Sequence, residues 1–374
     1  MKVLIAAGGT GGHINPGIAI ANKIKKEEPS AKIIFVGTNK GIEKDLVPKA
    51  GYELKMIRSA GISKKINIDN FKNITKILLG IKDSSKLIKE FKPDVVIGTG
   101  GYVSAPVFFA ASMKKVPTIL HESNAFPGKT VRLLSKRVDK VLAGFEETKK
   151  RLPNAKETII TGTPTKMNNL QFSSFEKSNI INSLGLDNTR PIVLVFGGSQ
   201  GAKKINEAMI QILSKKDKKE YQIIFAPGPK QYEFVKEELQ KANVNIEKIE
   251  GVKILPYIYN MEQIMNIADL VVSRSGAMTI TEISIVGVAS ILIPFPFAAE
   301  DHQNYNAKVL EKIDSAKIIL DKDLDGRILE NTICSLIKDK TKLKQMGQNA
   351  RKIAINDSQE RIYKQIKLVC KNRW

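Results

Sequence analysis

Two cysteines, Cys334 and Cys370, are all that the 374 residues contain, and neither sits in a metal-ligand spacing or a paired framework. This excludes a disulfide scaffold and a zinc ribbon, and it fits a reducing cytoplasm. Acidic residues are outnumbered: 38 Asp plus Glu face 60 Lys plus Arg, for a net charge of +22. Such an excess points to an anionic partner, either nucleic acid, a phosphorylated substrate or an acidic membrane surface, with a Lys-rich genome bias as a second source. Long apolar runs are missing too. The longest, residues 289–299, is interrupted by Pro294 and Pro296 and falls short of the ~18 residues a spanning helix needs. The opening Met1-Lys-Val-Leu-Ile-Ala-Ala7 meets glycine too soon for a signal peptide. No membrane-crossing segment is expected.

Familiar nucleotide and metal motifs are also lacking. No glycine turn completes the G-x-G-x-x-G fingerprint, which argues against a dehydrogenase. Gly128-Lys-Thr130 ends like a P-loop, but Ser123 stands where the first glycine is needed. Asp321-Lys-Asp-Leu-Asp-Gly326 opens like a calcium loop, but Thr332 replaces the bidentate glutamate. This segment reads as a surface loop and helix start, and neither a cofactor nor a metal site is expected.

What is present is an alternation of short apolar strands with amphipathic helices. Strands are expected near residues 3–7, 32–36, 54–57, 95–97, 118–120, 141–143 and 158–161, and again near 192–196, 223–226, 252–255, 270–273, 290–293 and 317–320. This order predicts an α/β fold, doubly wound, with parallel sheets covered by helices on both faces. A chain of this length exceeds one core. The break at Thr161-Gly-Thr-Pro164 and the polar stretch 166–177 place the linker, giving an N-terminal Rossmann-like domain at 1–162, a second at 163–350, and a closing helix at 351–374.

Residues 270–306 organise the second half as two strand-to-helix pockets in succession. Ser275, Gly276 and Ala277 are small enough to let a ligand approach the N–H groups at a helix N-terminus, where the helix dipole favours phosphate. Glu282, one turn inside a helix expected from about Thr279, suits the vicinal hydroxyls of a ribose. The spacing Thr279-x-x-Glu282 equally fits a capping box. Gln303 and Asn304 offer amides at a helix expected to open at Glu300, and amides match sugar hydroxyls because both donate and accept. Three glycine turns, Gly8-Gly-Thr-Gly-Gly-His13, Gly98-Thr-Gly-Gly-Tyr102 and Gly197-Gly-Ser-Gln-Gly201, are spread over both halves, which predicts a ligand cleft between them. The three histidines, His13, His121 and His302, all fall at strand ends or helix starts. His13 is the candidate general base, since an ordinary imidazole titrates near ~6.5; an orienting hydrogen-bond role is the alternative.

Together these stretches, with Val103-Ser-Ala-Pro106, His121-Glu-Ser-Asn124, Ser273-Arg-Ser-Gly-Ala277 and Asp301-His-Gln-Asn-Tyr-Asn-Ala307, closely resemble the MurG family of peptidoglycan-building N-acetylglucosaminyltransferases over essentially the whole chain. The resemblance implies the two-domain GT-B fold, with the last helix crossing back to the N-terminal domain. It implies inverting, metal-independent transfer of N-acetylglucosamine from UDP-N-acetylglucosamine to the muramyl 4-hydroxyl of undecaprenyl-linked lipid I, yielding lipid II and UDP for cell-wall biogenesis. By the same resemblance, Thr10, Gly11, Gly12 and Asn124 approach the donor from the first domain. In the second, Ser199 and the turn of Ser275, Gly276, Ala277 and Met278 serve the diphosphate, Ile258 reads uracil through its backbone, Glu282 holds the ribose and Gln303 reads the sugar. Tyr102, Glu122 and Asn206 fall at acceptor positions. Lys166 stands where the family usually has arginine, which turns a bidentate phosphate fork into a point charge. Phe225-Ala-Pro-Gly-Pro229 departs from the family's usual polar loop.

Two rival readings are another GT-B enzyme, such as a glycolipid glycosyltransferase or UDP-sugar epimerase, and a basic nucleic-acid-binding protein. The second leaves the glycine turns idle, and no aromatic-studded basic stretch supports it, so nucleic acid is not expected as a partner. A lipid-linked acceptor places the enzyme peripherally at the cytoplasmic face of the membrane. Residues 64–92 carry eight lysines against Asp69, Asp83 and Glu90. As a helix over 70–91, they put Phe71, Ile74, Leu78 and Ile81 toward the core, and Leu79 outward among Lys72, Lys76 and Lys86 with Leu87 nearby, a basic face with an apolar toe. Gly80 is a candidate break in that helix, and a merely solvated lysine face is the alternative.

Overall fold

In the computed structural model, residues 1–61, 68–165, 167, 172–198, 201–215, 217, 219–246 and 249–371 are described, apart from the side chains of 68–72. The chain divides into two compact units, Met1–Lys166 with Asp357–Trp374, and Met167–Asn356.

All thirteen expected strands form. In the first unit they are β1 Lys2–Ala6, β2 Lys32–Gly37, β3 Glu53–Met56, β4 Val95–Gly98, β5 Thr118–Glu122, β6 Lys140–Ala143 and β7 Thr158–Ile160. The second unit has β8 Ile192–Phe196, β9 Gln222–Ala226, β10 Val252–Ile254, β11 Leu270–Ser273, β12 Ala289–Leu292 and β13 Ala316–Ile318. Their orders are β3-β2-β1-β4-β5-β6-β7 and β10-β9-β8-β11-β12-β13, and every ladder is parallel. The central strands are short continuous apolar runs because both faces of each sheet are covered. Strand order reverses between β1 and β4 in one sheet and between β8 and β11 in the other. Those reversals open the crevices where α/β sheets take ligands.

In the first unit, one face of the sheet packs against helix Gly11–Glu27 and the C-terminal helix Ser358–Lys371, whose Ile362, Ile366 and Val369 join the core of Val3, Ile5 and Phe35. That returning helix is tied by polar contacts as well. Glu28 accepts from Lys367 Nζ at 2.6 Å and Tyr363 OH at 2.9 Å, and the Lys367 ammonium holds the Glu28 carboxyl below the usual carboxylate range. Lys23 bridges Glu27 and Glu360 at 2.8 and 2.7 Å.

The other face carries helices Ile68–Phe91 and Ser104–Met113, and here the expected helix phase is wrong. Gly80, Ser84 and Ile88 are the buried positions, whereas Ile74 and Leu78 are 46% and 62% exposed. Ile81 packs on the core as expected, Leu87 packs there too, and Leu79 is only half-buried. The reason is Gly80, which does not break the helix: a Cβ there would lie 2.0 Å from the Arg58 carbonyl oxygen. Only glycine permits this approach, and it fixes the rotation of the helix. Arg58 then forks onto Asp83 at 2.8 and 2.6 Å, one turn further on. Phe71 and Lys72 lie outside the described side chains.

Candidate active site

At the first reversal the chain leaves β1 into the glycine turn and enters helix Gly11–Glu27, which begins four residues before the expected Asn15 and carries Pro16 inside it. Thr10 is the N-cap, exposed like Gly12, while Gly11 is half-buried. The turn after β4 lies against this one. A Cβ on Gly100 would meet the His13 ring at 2.7 Å, and one on Gly101 would meet the Gly8 carbonyl at 2.3 Å. Thr99 Oγ1 donates to the His13 carbonyl at 2.7 Å. The imidazole Nδ1 is 3.2 Å from the Gly8 carbonyl oxygen and 3.3 Å from Thr10 Oγ1. A carbonyl only accepts, so the Gly8 contact is a hydrogen bond in the tautomer with the proton on Nδ1, Thr10 Oγ1 then being a second acceptor and the lone pair of the neutral ring belonging to Nε2.

Tyr102 stands beside the same turn, its ring near Gly9. Its phenol is 3.0 Å from Thr38 Oγ1, which is itself 3.0 Å from Glu43 Oε1. The threonine proton goes to the carboxylate, so the tyrosine donates to the threonine and keeps its lone pairs as acceptors. Glu43 is fully buried and also accepts from Thr38 N at 2.9 Å and Gly9 N at 3.0 Å. Gly9 has φ +93°, a left-handed conformation that favours glycine, and its N–H is committed to Glu43 rather than to a ligand.

Two further residues of this unit, Glu122 and His121, lie in one buried strand. Glu122 is buried, and its oxygens accept from Asn124 N, Asn124 Nδ2 and Gly128 N at 2.9, 3.0 and 2.9 Å. Burial pushes its carboxyl up against the pull of those donors. Its carboxyl holds Asn124 and the following helix start in place. His121, in the same strand, is wholly buried with Nε2 3.0 Å from the Gly162 carbonyl, and burial depresses its pKa to about 4. It is a neutral core histidine.

At the second reversal, β11 ends in the turn of Arg274 and Ser275. The helix starts at Ala277 with Gly276 as N-cap, earlier than expected. Thr279 and Glu282 therefore both lie inside the helix, which removes the capping-box reading. A Cβ on Gly276 would meet only Thr279 Oγ1, at 3.9 Å, so the approach to this helix end is open. Ala277 is buried, and Met278 and Glu282 are half-buried. Ser275 is buried and turned inward: its hydroxyl donates to the Gln303 carbonyl at 2.8 Å, and Asn306 Nδ2 donates to the Ser275 carbonyl at 3.1 Å. It braces this turn. Arg274 pairs with Asp321 and donates to the Ile293 and Pro294 carbonyls at 3.2 Å each.

The next helix runs His302–Glu311, preceded by Glu300 and Asp301 at φ +56° and +52°. Gln303 Oε1 accepts from Phe295 N at 3.0 Å. The amide orientation is thereby set, with the NH2 as the group left to donate. The side chain of Ile258 is buried between the exposed Tyr257 and Tyr259, whose rings meet edge-on at 4.9 Å. Asn206 is fully buried, with Nδ2 donating to the Pro227 carbonyl at 3.1 Å. It sits in the first turn of helix Lys203–Leu213. Lys166 and Ser199 lie outside the described residues. Among the described residues, no group of three or more His, Cys, Asp and Glu side chains is placed to hold a metal.

Residues 3–143 match the glycosyltransferase family 28 N-terminal domain and residues 192–365 match its C-terminal domain. A Thermoanaerobacter sp. (strain X514) relative named UDP-N-acetylglucosamine–N-acetylmuramyl-(pentapeptide) pyrophosphoryl-undecaprenol N-acetylglucosamine transferase is 45% identical over 369 residues, 99% of this chain and 100% of the relative. A relative of the same name from Acetivibrio thermocellus is 42% identical over 374 residues, 100% of this chain and 99% of the relative. The crystal structure of Acinetobacter baumannii MurG superposes with a TM-score of 0.78 at 28% identity, covering 98% of this chain and 99% of that one. The chain belongs to the MurG family of family 28 glycosyltransferases. Its fold is GT-B, two Rossmann-like domains. A UDP-GlcNAc 2-epimerase from Neisseria meningitidis, 14% identical with a TM-score of 0.62 over 98% of this chain and 99% of that one, shares that fold alone.

Sequence reasoning missed Thr38 and Glu43 as parts of this MurG-family site. The signal available was the cluster of Gly37, Gly41 and Gly8: a Cβ on any of the three would press on the Glu43 side chain, at 2.5, 1.9 and 3.0 Å.

Proposed function

We propose that this chain transfers N-acetylglucosamine from UDP-N-acetylglucosamine to the muramyl 4-hydroxyl of undecaprenyl-diphospho-muramoyl-pentapeptide, with inversion, releasing UDP and lipid II. The observation that carries the reading is end-to-end identity of 45% to a relative bearing that activity's name. An α-linked donor giving a β-linked product needs one displacement and one base. As the acceptor oxygen bonds to the donor C1, its proton passes to His13 Nε2, and the C1–O bond to the diphosphate breaks with both electrons leaving on UDP. The open helix end at Gly276, Ala277 and Met278 receives the developing diphosphate charge, because orphan N–H groups and the helix dipole favour an anion there. Ser199 and Lys166 are assigned to the same charge.

Glu282 holds the ribose, the Ile258 backbone reads uracil, and the Gln303 amide donates to the sugar. Thr10, Gly11, Gly12 and Asn124 meet the donor from the first unit, and Tyr102 accepts a hydrogen bond from the acceptor. Glu122 and Asn206 support these groups from behind.

The enzyme works peripherally on an anionic membrane surface. Support comes from Ile74 and Leu78, exposed one helical turn apart, with Lys82 and Lys86 following on that side of the helix and Lys76 also exposed. No helix among the described residues is long and apolar enough to cross a membrane. Turnover of radiolabelled UDP-N-acetylglucosamine with a lipid I analogue tests the function. Formation of the lipid-linked disaccharide is the expected result, and hydrolysis or epimerisation of the donor without transfer refutes it.

A further inference from the structure

We infer that Glu43 is a positioning residue for His13, acting through the peptide group that joins Gly8 to Gly9. The inference rests on the reading of His13 as the base.

One peptide unit carries both contacts. Its N–H, from Gly9, donates to Glu43 Oε2 at 3.0 Å, and its carbonyl, from Gly8, lies 3.2 Å from His13 Nδ1. In a trans peptide the N–H and C=O point in opposite directions, so carboxylate, amide and imidazole form a chain, with Thr10 Oγ1 as a second neighbour of Nδ1 at 3.3 Å. Glu43 is 0% exposed, and its three donors are Gly9 N, Thr38 N and Thr38 Oγ1. A buried anion at one end of an amide draws its N–H and strengthens its carbonyl as an acceptor, since linked hydrogen bonds polarise one another. The strengthened carbonyl in turn holds the Nδ1 proton and makes Nε2 more basic. The arrangement does for His13 what a carboxylate in direct contact does in a dyad, with a peptide bond inserted.

The packing is built around this chain. A Cβ on Gly8 would meet Val103 at 2.6 Å and Glu43 at 3.0 Å, and one on Gly101 would press on the Gly8 carbonyl at 2.3 Å. The peptide is therefore clamped between the turns after β2 and β4. Around it the titratable side chains in contact are Glu43 and Tyr102, and Tyr102 spends its proton on Thr38 Oγ1.

The test is 15N NMR of histidine-labelled full-length protein, whose three histidines are assigned by His121→Gln and His302→Gln. Neutral wild-type His13 should be the Nδ1–H tautomer; an Nε2–H tautomer overturns the relay without any change at Glu43. Glu43→Gln should lower the His13 pKa by about half a unit to one unit, while Thr38→Val, which keeps the Glu43 to Gly9 contact, leaves it in place. In turnover assays Glu43→Gln should move the acidic limb of the pH profile the same way and cut kcat about tenfold, with UDP affinity unchanged. An unmoved His13 pKa in folded Glu43→Gln refutes the inference. His13→Ala kinetics judge the base itself, so the two failures are told apart.

Discussion

Ser275 and Gln303 are joined by a hydrogen bond of 2.8 Å from the serine hydroxyl to the glutamine carbonyl, which ties the turn after β11 to the start of the helix that follows β12. The two turns of residues 270–306 are thereby tied together, and under the proposed function the diphosphate–ribose and sugar contacts they make are separable. Ser275→Ala should leave that carbonyl without its donor and loosen the sugar pocket, weakening UDP-N-acetylglucosamine about tenfold. UDP alone should be held nearly as before. Glu282→Ala should weaken UDP itself, whereas Gln303→Ala should spare UDP and relax discrimination between glucosamine and galactosamine donors. Calorimetric titration of each variant with UDP and with both donors checks the division, and equal loss of UDP affinity in Glu282→Ala and Gln303→Ala contradicts it.

His13→Ala should bind the donor normally and turn over roughly 10²–10⁴-fold more slowly, the usual range for a lost acid–base group. Near-wild-type turnover would show that another group takes the proton.

Gly80→Ala gives opposite signs under two pictures of the same helix. On an exposed face, alanine stabilises by about 1 kcal/mol through helix propensity. Against the Arg58 carbonyl, 2.0 Å from where the new Cβ would sit, overpacking destabilises by about 1–3 kcal/mol. Thermal unfolding should show a lowered Tm. A raised one would mean the helix sits in the rotation expected from its sequence.

Stability should fall on mild acidification, with His121 as a main cause. Its folded pKa, about 4, lies below the ordinary 6.5, so between those values the unfolded chain binds a proton that the folded chain refuses. The contribution is fully present above ~6.5 and is lost as pH falls toward 4, amounting to about 2 kcal/mol between pH 7 and 5. Calorimetric melts across that range should be steeper for wild type than for His121→Gln, whose amide can still donate to the Gly162 carbonyl. Parallel curves would remove His121 from the account.

The fold was legible because buried parallel strands leave continuous apolar runs that no other element imitates here, and the glycine turns mark where those strands end. The open helix end at Gly276 was legible for a related reason: small residues at Ser275, Gly276 and Ala277 leave its approach uncrowded. Side-chain direction was not recorded. Ser275, Asn206 and Glu122 carry the same polar atoms whether they face a ligand or brace a loop, and only the packing of neighbouring turns separates the two. Glu43 was hidden for the opposite reason. Its partners are backbone groups of other turns, so no local spacing announces it.

The helix Ile68–Phe91 shows how a phase error changes a surface. Periodicity alone hid Ile74 and Leu78 and exposed Leu79; the close contact at Gly80 turns the helix so that Ile74 and Leu78 emerge one turn apart, with Lys76, Lys82, Lys86 and Lys89 also exposed. Two exposed aliphatic side chains give modest insertion, and juxtamembrane lysines add about 1 kcal/mol each near an anionic surface, an attraction that salt screens. The Lys86–Glu90 pair, 3.9 Å apart and exposed at both ends, offsets little of it. The protein should therefore co-sediment with anionic but not neutral liposomes at low salt. Lys76, Lys82 and Lys86 changed together to Glu should abolish that binding, and Ile74→Glu with Leu78→Glu should weaken it while leaving its salt dependence, all without altering UDP affinity. Undiminished binding by the triple variant would move the dock elsewhere on the chain, and a wild-type protein that ignores anionic vesicles would leave the +22 charge without a membrane explanation.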